Sequence, residues 1–391
     1  MVGRLTVYIL GNYRPGMADG LAEFNFQNVT ALKAVIDFHF VEFDGSEETS
    51  FYNSSTVDQI RIHRFGSKDL PALKLSSVFK AWLGDLALGD SVFHLNHIYN
   101  LNNYLVARLL NRHKIPYLIT PHDSYVYCKE FRLKRPLIKR MYRDLYVQLI
   151  DKYVLDHASY IHALTNQCIA CLRLLTSRPI IVVGNQVTDM HLVLNLNSIE
   201  NQICFIGRSD IYQKGIDRAL RGFSLFLNLQ NNLPAINLII VGPADHKSDQ
   251  LRNDLCKELN LEVGSQVSFA GKVEEAERNR ILSTSKVYIH LSRFEGFGLS
   301  VIQALSAFKP VIVSRQVPTS DIINNYKAGI VVDSTEEIAS AIATIFALTD
   351  EQYIQMARNA RRCYEEQFHP DVIRPKLFDL YNKAASGSFS N

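Results

Sequence analysis

Apolar positions along this chain recur in two rhythms. Short runs rich in Val, Ile, Leu and aromatic residues, bounded by Gly, Pro, Asn or Ser, read as strands buried on both faces. Between them lie longer stretches whose apolar residues return every three or four positions, as on a helix with one buried face. In the first half the runs predict strands near Leu5–Leu10, Asp37–Glu42, Val92–Leu95, Tyr117–Thr120 and Tyr160–Asn166. In the second half they predict Ile203–Gly207, Asn237–Gly242, Val267–Ala270, Lys286–Leu291, Val311–Ser314 and Ile330–Val332. Such alternation predicts an α/β protein with parallel sheets and helices on their faces. It is interrupted at His191–Glu200, which has neither strong period nor clear caps, so a domain boundary is expected near 185–200.

Length agrees with that division, since 391 residues are more than one domain usually holds. The expected domains are 1–190 and 191–370, followed by a helix after Pro370 within a terminal segment, 371–391. No apolar run is long enough to span a bilayer, and the amino-terminal run reads as a first strand rather than a signal peptide. A net charge of +3 argues against nucleic acid as the main partner. The six cysteines are scattered, and the one C-x-x-C, Cys168 and Cys171, has no second pair to complete a zinc site. Both are expected to be buried in a helix, in a reducing, cytoplasmic compartment.

Candidate chemistry concentrates in Ser292–Leu305. A strand precedes it, Gly296 and Gly298 form its turn, and Val301, Leu305 and Phe308 follow at helical spacing. A strand, a glycine turn and a helix start place backbone N–H groups around an anion, and glycine lets that anion come close. Glu295 sits at the carboxyl end of the strand, where open α/β sheets bind ligands. An anion beside a carboxylate suggests a phosphate beside sugar hydroxyls, hence a sugar nucleotide. The same pattern also describes an ordinary βα turn with a solvated Glu.

The run Glu295-Gly-Phe-Gly-Leu, then Gln303-Ala-Leu, then Lys309-Pro-Val-Ile-Val313 resembles the E-x7-E signature of the retaining, GT-B-fold glycosyltransferases of family four. Two positions depart from it: Gln303 replaces the second acid, and Phe308 replaces the usual glycine before Lys-Pro. A second run, Gly207-Arg208 through Lys214-Gly215-Ile-Asp217, resembles the family's G-R-x-x-x-x-K-G-x-D segment. Thr120-Pro-His122-Asp123 is similar to a family turn that ends a strand of the first domain. The resemblance implies two doubly wound Rossmann-like domains facing a central cleft, with the terminal helix crossing back to the first.

It also implies roles. Glu295 and His122 are the expected catalytic residues. Arg208, Lys214, Gly298, Leu299, Ser300 and Gly20 would meet the donor diphosphate, the cations acting by charge and the helix start by its N–H groups. Gln303 would bind the ribose, while His97 and Asp123 are candidate acceptor or sugar contacts. His94 and His97 lack a third ligand at a recognised spacing, and the chain has no D-x-D motif, so no metal and no cofactor are expected.

The expected reaction moves a sugar from a nucleoside-diphosphate sugar to a carbohydrate or lipid-linked glycan acceptor, with retention, in bacterial surface polysaccharide or glycoconjugate synthesis. A non-catalytic sugar-nucleotide-binding subunit and a GT-B sugar-nucleotide epimerase are the rivals. A last expectation comes from residues 134–149, where Ile138, Met141, Tyr142, Leu145 and Leu149 form an apolar stripe behind a basic leading end. This helix either lies on an anionic membrane, placing the protein on the inner face, or packs into the core with a solvated basic side.

Overall fold

The computed structural model describes residues 4–13, 20–45, 48, 50–66, 75–86, 91–122, 136–229 and 235–387. The chain divides into two units, one of Met1–Gln186 with Ile373–Asn391, the other Val187–Val372.

In the first unit the strands are β1 (Thr6–Leu10), β2 (Asp37–Asp44), β3 (Tyr52–Val57), β4 (Ile60–Gly66), β5 (Ser91–Asn96), β6 (Tyr117–Thr120), β7 (Tyr160–Ala163) and β8 (Ile180–Val182). They form one sheet in the order β3-β4-β2-β1-β5-β6-β7-β8. Every pairing is parallel except β3 with β4. The helices are α1 (Gly20–Leu32), α2 (Ser77–Asp85), α3 (Leu101–Arg112), α4 (Leu137–Tyr146), α5 (Lys152–Asp156) and α6 (Ile169–Arg173). One core gathers Phe79, Leu83, Val106, Leu110 and Leu155 against Phe93 and Ile119. The other gathers Val29 and Leu32 of α1 against Val7, Ile9, Phe38 and Phe40.

In the second unit β9 (Glu200–Ile206), β10 (Asn237–Val241), β11 (Val267–Gly271), β12 (Ser285–His290), β13 (Val311–Ser314) and β14 (Gly329–Val332) are parallel throughout. Their order, β11-β10-β9-β12-β13-β14, is that of a Rossmann sheet whose winding reverses between β9 and β12. The helices are α7 (Ile216–Leu229), α8 (His246–Glu258), α9 (Glu275–Thr284), α10 (Leu299–Ser306), α11 (Ser320–Tyr326), α12 (Thr335–Phe346), α13 (Asp350–Gln367) and α14 (Pro370–Ser386). The last of these places Ile373, Leu377, Leu380, Tyr381 and Ala384 in the first unit's core, so the terminal helix returns as expected.

The hairpin β3–β4 has no counterpart among the expected strands. Tyr52–Val57 is exposed on an edge and carries little apolar pattern. Its two-residue turn, Asp58 and Gln59 at φ 51° and 71°, adopts left-handed backbone without the Asn-Gly that usually announces it. The short edge strand β8 was not foreseen either. Cys168 and Cys171 are half-buried rather than buried.

The core-packed alternative for the amphipathic helix is overturned for residues 137–146, because α4 buries no residue. Leu137, Ile138, Met141, Tyr142, Leu145 and, beyond it, Leu149 are exposed. A π-helical turn, Val147–Asp151, then brings Val147 and Asp151 inward, and Asp151 Oδ1 accepts from the Tyr99 N–H at 3.0 Å. Residues 134 and 135 lie outside the described residues. Among those residues, no helix is long and apolar enough to cross a membrane.

Candidate active site

Where the second sheet reverses its winding, the loops after β9 and β12 meet. Doubly wound sheets bind ligands at this place, outside the carboxyl ends of their strands. The first loop carries Arg208 and Lys214 and ends at Gly215, whose φ is 67° and whose position leaves no room for a side chain. A Cβ there would lie 2.0 Å from the Leu291 carbonyl oxygen. The second loop carries Glu295 and ends at Gly298, whose φ of 88° turns the chain into α10. The N–H groups at the head of α10 have no acceptor within the helix, which is what makes a helix start attract an anion.

Glu295 is the hub. Its Oε2 accepts from Lys214 Nζ at 2.6 Å, His290 Nε2 at 3.0 Å and Ser292 Oγ at 3.1 Å. Lys214 and Glu295 are 12% and 14% exposed, so the ion pair is largely shielded from water. Burial alone would raise the Glu295 carboxyl. The His290 hydrogen bond and the Lys214 charge outweigh it and hold the group far below the ordinary carboxylate value. With Oε2 occupied, Oε1 is the oxygen available to a ligand hydroxyl. Burial lowers the His290 pKa against the pull of Glu295, leaving a neutral ring that donates through Nε2.

The sequence reading missed the residues that join the loops. Arg293 forks onto Asp217, Nη1 to Oδ1 at 2.7 Å and Nη2 to Oδ2 at 2.6 Å. The same guanidinium donates to the Tyr212 carbonyl at 2.7 Å and lies 4.3 Å from the centre of the Tyr212 ring. Backbone adds a further tie, Arg293 N–H to Gln213 O at 2.9 Å. The Asp of the K-G-x-D segment and the Arg two residues before Glu295 were the available signal. Their pairing depends on a contact between positions 76 apart in sequence.

Ser300 and Gln303 share one face of α10, three residues apart, as do Leu299 and Gln303, four apart. Ser300 Oγ lies 2.9 Å from the Tyr288 hydroxyl, and Gln303 is half-buried. Arg208 is exposed on the first loop. These residues therefore gather with Lys214 and Glu295 on one end of the second sheet.

In the first unit, the ends of β5 and β6 bring His97 and His122 together, their ring centres 5.1 Å apart. Both have left-handed backbone, φ 71° and 52°. His97 N–H donates to Thr120 O at 2.9 Å, and Asn103 Nδ2 donates to the carbonyls of Asn96 and His97 at 2.7 and 2.8 Å. His122 Nε2 donates to Asn96 Oδ1 at 2.8 Å, which makes Nδ1 the acceptor of a neutral ring. Burial, reinforced by the neighbouring His97, His94 and His162, lowers the His122 pKa well below the usual value. His94 does not join this pair. It is buried and hydrogen-bonded to Tyr381 Oη at 2.9 Å and Thr120 Oγ1 at 2.7 Å. Gly20 begins α1, and Asp123 lies outside the described residues. Among the described residues no three His, Cys, Asp or Glu side chains gather as metal ligands would.

Comparison with known proteins gives a family match and a fold. Residues 187–363 match the family described as Glycosyl transferases group 1. A GDP-Man:Man(3)GlcNAc(2)-PP-Dol alpha-1,2-mannosyltransferase of Xenopus tropicalis is 30% identical over 131 residues, 32% of this chain and 27% of that protein. An uncharacterised glycosyltransferase of Methanocaldococcus jannaschii is 30% identical over 188 residues, 47% of this chain and 45% of that protein. The matched segment thus spans less than half of either relative. The solved sucrose-phosphate synthase of Thermosynechococcus elongatus superposes with a TM-score of 0.75 at 18% identity, covering 97% of this chain and 99% of that one. The chain has the GT-B fold, and its residues 187–363 match the glycosyl transferases group 1.

Proposed function

We propose that this chain is a retaining glycosyltransferase that moves a hexose from a nucleoside-diphosphate sugar to an acceptor hydroxyl without a metal ion. One observation carries the reading: a buried carboxylate, Glu295, is fixed through a single oxygen beside the Lys214 ammonium and a helix start. As the anomeric C–O bond breaks, charge grows on the departing diphosphate. Arg208, Lys214 and the head of α10 at Gly298, Leu299 and Ser300 neutralise it. Glu295 accepts from donor-sugar hydroxyls and orients the ring, and Gln303 binds the ribose. His122 Nδ1 accepts from a sugar hydroxyl, with His97 and Asp123 as further contacts, and Gly20 lets the backbone approach the diphosphate.

The first unit takes the acceptor, a carbohydrate or a lipid-linked glycan. The exposed stripe of α4, beside Lys139 and Arg140, rests on an anionic membrane surface. On this reading the protein is cytoplasmic and peripheral on the inner face of the membrane, and acts in synthesis of surface polysaccharide or glycoconjugate.

The purified chain is assayed with a panel of sugar nucleotides and lipid-linked acceptors in excess EDTA. GDP-mannose comes first, because the Xenopus relative is a GDP-Man mannosyltransferase. Transfer with retained anomeric configuration is expected, and Glu295→Ala lowers kcat at least about 100-fold, the scale of a lost transition-state contact. Loss of transfer in EDTA, restored by manganese or magnesium, would overturn the metal-free mechanism. Gln303 in place of an acid favours one rival, a binding subunit. That rival gains if wild type binds donor without turnover and Gln303→Glu transfers.

A further inference from the structure

We propose that His290 is a positioning residue that sets the aim of the Glu295 carboxylate. The inference rests on the reading above that Glu295 meets the donor sugar, and it assigns the device that holds it there.

A glutamate carboxylate hangs on three rotatable bonds, so three donors on one oxygen do not fix its direction unless one of them is rigid. Lys214 is not, because its ammonium ends a flexible four-carbon stem. Ser292 is a rotating hydroxyl on the same turn as Glu295. His290 alone presents a fixed N–H. Its ring is 1% exposed and lies nearly parallel to two neighbouring aromatic rings. The Phe205 ring centre is 5.6 Å away with planes 16° apart, and the Tyr288 centre is 6.0 Å away at 17°. Both neighbours sit on buried strands, β9 and β12, so the imidazole cannot swing without opening the sheet face.

The two ring nitrogens are also distinct. A carboxylate oxygen only accepts, so Nε2 carries the proton towards Glu295, 3.0 Å away. Nδ1 faces the Tyr288 hydroxyl at 3.1 Å. That hydroxyl lies 2.9 Å from Ser300 Oγ. A buried polar line thus runs from the head of α10 through Tyr288 and His290 to the sugar-facing carboxylate. Satisfied internal polar networks of this kind rigidify what they hold.

Two substitutions separate aim from packing. A glutamine amide reaches where Nε2 stands, and an asparagine amide reaches only where Nδ1 stands. His290→Gln therefore keeps the contact with Glu295, and His290→Asn loses it, with similar polarity in both. The direct readout needs no donor: the Glu295 carboxyl carbon is titrated by 13C NMR in the full chain. In H290N the titration moves to higher pH, because burial then acts on a carboxylate with one donor fewer, whereas H290Q stays close to wild type.

With a donor that wild type turns over, H290N lowers kcat about 10- to 100-fold and leaves the affinity for GDP or UDP within about twofold. H290Q regains about tenfold of that loss. Unchanged titration in H290N, or H290Q as impaired as H290N, overturns the proposal. A wild-type chain that binds no sugar nucleotide overturns the donor reading instead, while the titration still decides what His290 does.

Discussion

Replacing Lys214 by Met removes an ammonium from a shielded ion pair while keeping most of the side-chain volume. At 2.6 Å the two charges attract by about 6 kcal/mol at an effective dielectric of about 20. Desolvation cancels much of that attraction in the intact pair, but removing one partner leaves the other buried and under-compensated. Such losses run to about 3–5 kcal/mol. His290 and Ser292 still donate to Oε2 in the variant, so the lower end applies, about 3 kcal/mol at neutral pH. Glu295→Gln strands the ammonium in turn. The double variant removes both charges and should cost clearly less than the sum, giving a coupling of about 2 kcal/mol.

The pH dependence has a defined sign. The folded carboxyl lies below its unfolded value, so its contribution is full above that value, about 4.3, and fades as pH falls through the folded pKa. Wild type therefore loses stability steadily below about pH 5. K214M, whose carboxyl is less depressed, loses less over the same range. Urea unfolding followed by circular dichroism at pH 7 and pH 4 measures all four corners of the cycle. A K214M cost under about 0.5 kcal/mol with additive singles would show that the pair holds nothing together, and the hub assigned to Glu295 would fall.

Further outcomes are expected elsewhere in the chain. Arg208→Ala should weaken nucleoside-diphosphate binding by about 1–3 kcal/mol in calorimetry and leave Tm nearly unchanged, since the side chain is exposed; unaltered affinity would remove it from the donor site. Phe308 has φ 60°, so Phe308→Gly should be more stable than Phe308→Ala by about 1 kcal/mol, reversing the usual preference for alanine. Burial pushes His162 down to about 4, so the folded chain resists a proton that the unfolded chain takes up below about 6.5. Stability should fall by up to about 3 kcal/mol from pH 6.5 to 4, and His162→Gln should remove one proton from that slope. Ile138→Asp with Tyr142→Asp should abolish co-sedimentation with anionic vesicles while changing fold stability by less than about 0.5 kcal/mol; wild type that ignores anionic vesicles, or binds neutral ones equally, would refute the membrane face.

The strands that read clearly from sequence are those whose composition is set by burial on both faces, as in β9, β10, β12 and β13. Nothing local competes with that signal. In β3 the information is a left-handed two-residue turn and an edge pairing, and neither leaves an apolar mark, whereas its partner β4 does bury Ile60, Ile62 and Phe65. The site divides in the same way. Glu295, Lys214 and Arg208 stand out because short-range patterns, a glycine turn and a helix start, surround them. Lys214 is expected to meet a phosphate from its local pattern, but that pattern does not announce Glu295, the partner 81 positions away against which its ammonium lies. His290 passed for one more residue of a buried strand. Its role depends on two rings from different positions in the sheet and on a carboxylate beyond the next turn, and no pattern of neighbours along the chain encodes that.

Phe308 and Gln303, the two departures from the family pattern, separate once the structure is in hand. A left-handed residue is needed after α10, and glycine is the usual solution because it has no Cβ. Phe308 adopts that backbone at φ 60°, and the Arg361 guanidinium lies 5.3 Å from its ring centre. Arg361 itself reaches the Ser306 carbonyl at 2.8 Å and forms an ion pair with Asp189. The strain of the aromatic residue, about 1–2 kcal/mol, is thus met by a cation–π contact of about 0.5–1 kcal/mol and by the apolar surface the ring covers. That exchange concerns stability and says nothing of catalysis. Gln303 has no such local account. It stands on the face of α10 shared by Ser300. On the proposed function its amide meets the donor ribose. A ribose diol can donate to the amide oxygen and accept from the amide nitrogen, whereas a carboxylate would accept from both hydroxyls. On the function proposed above, the departure bears on how tightly a donor is held and leaves untouched the buried carboxylate that would orient the sugar.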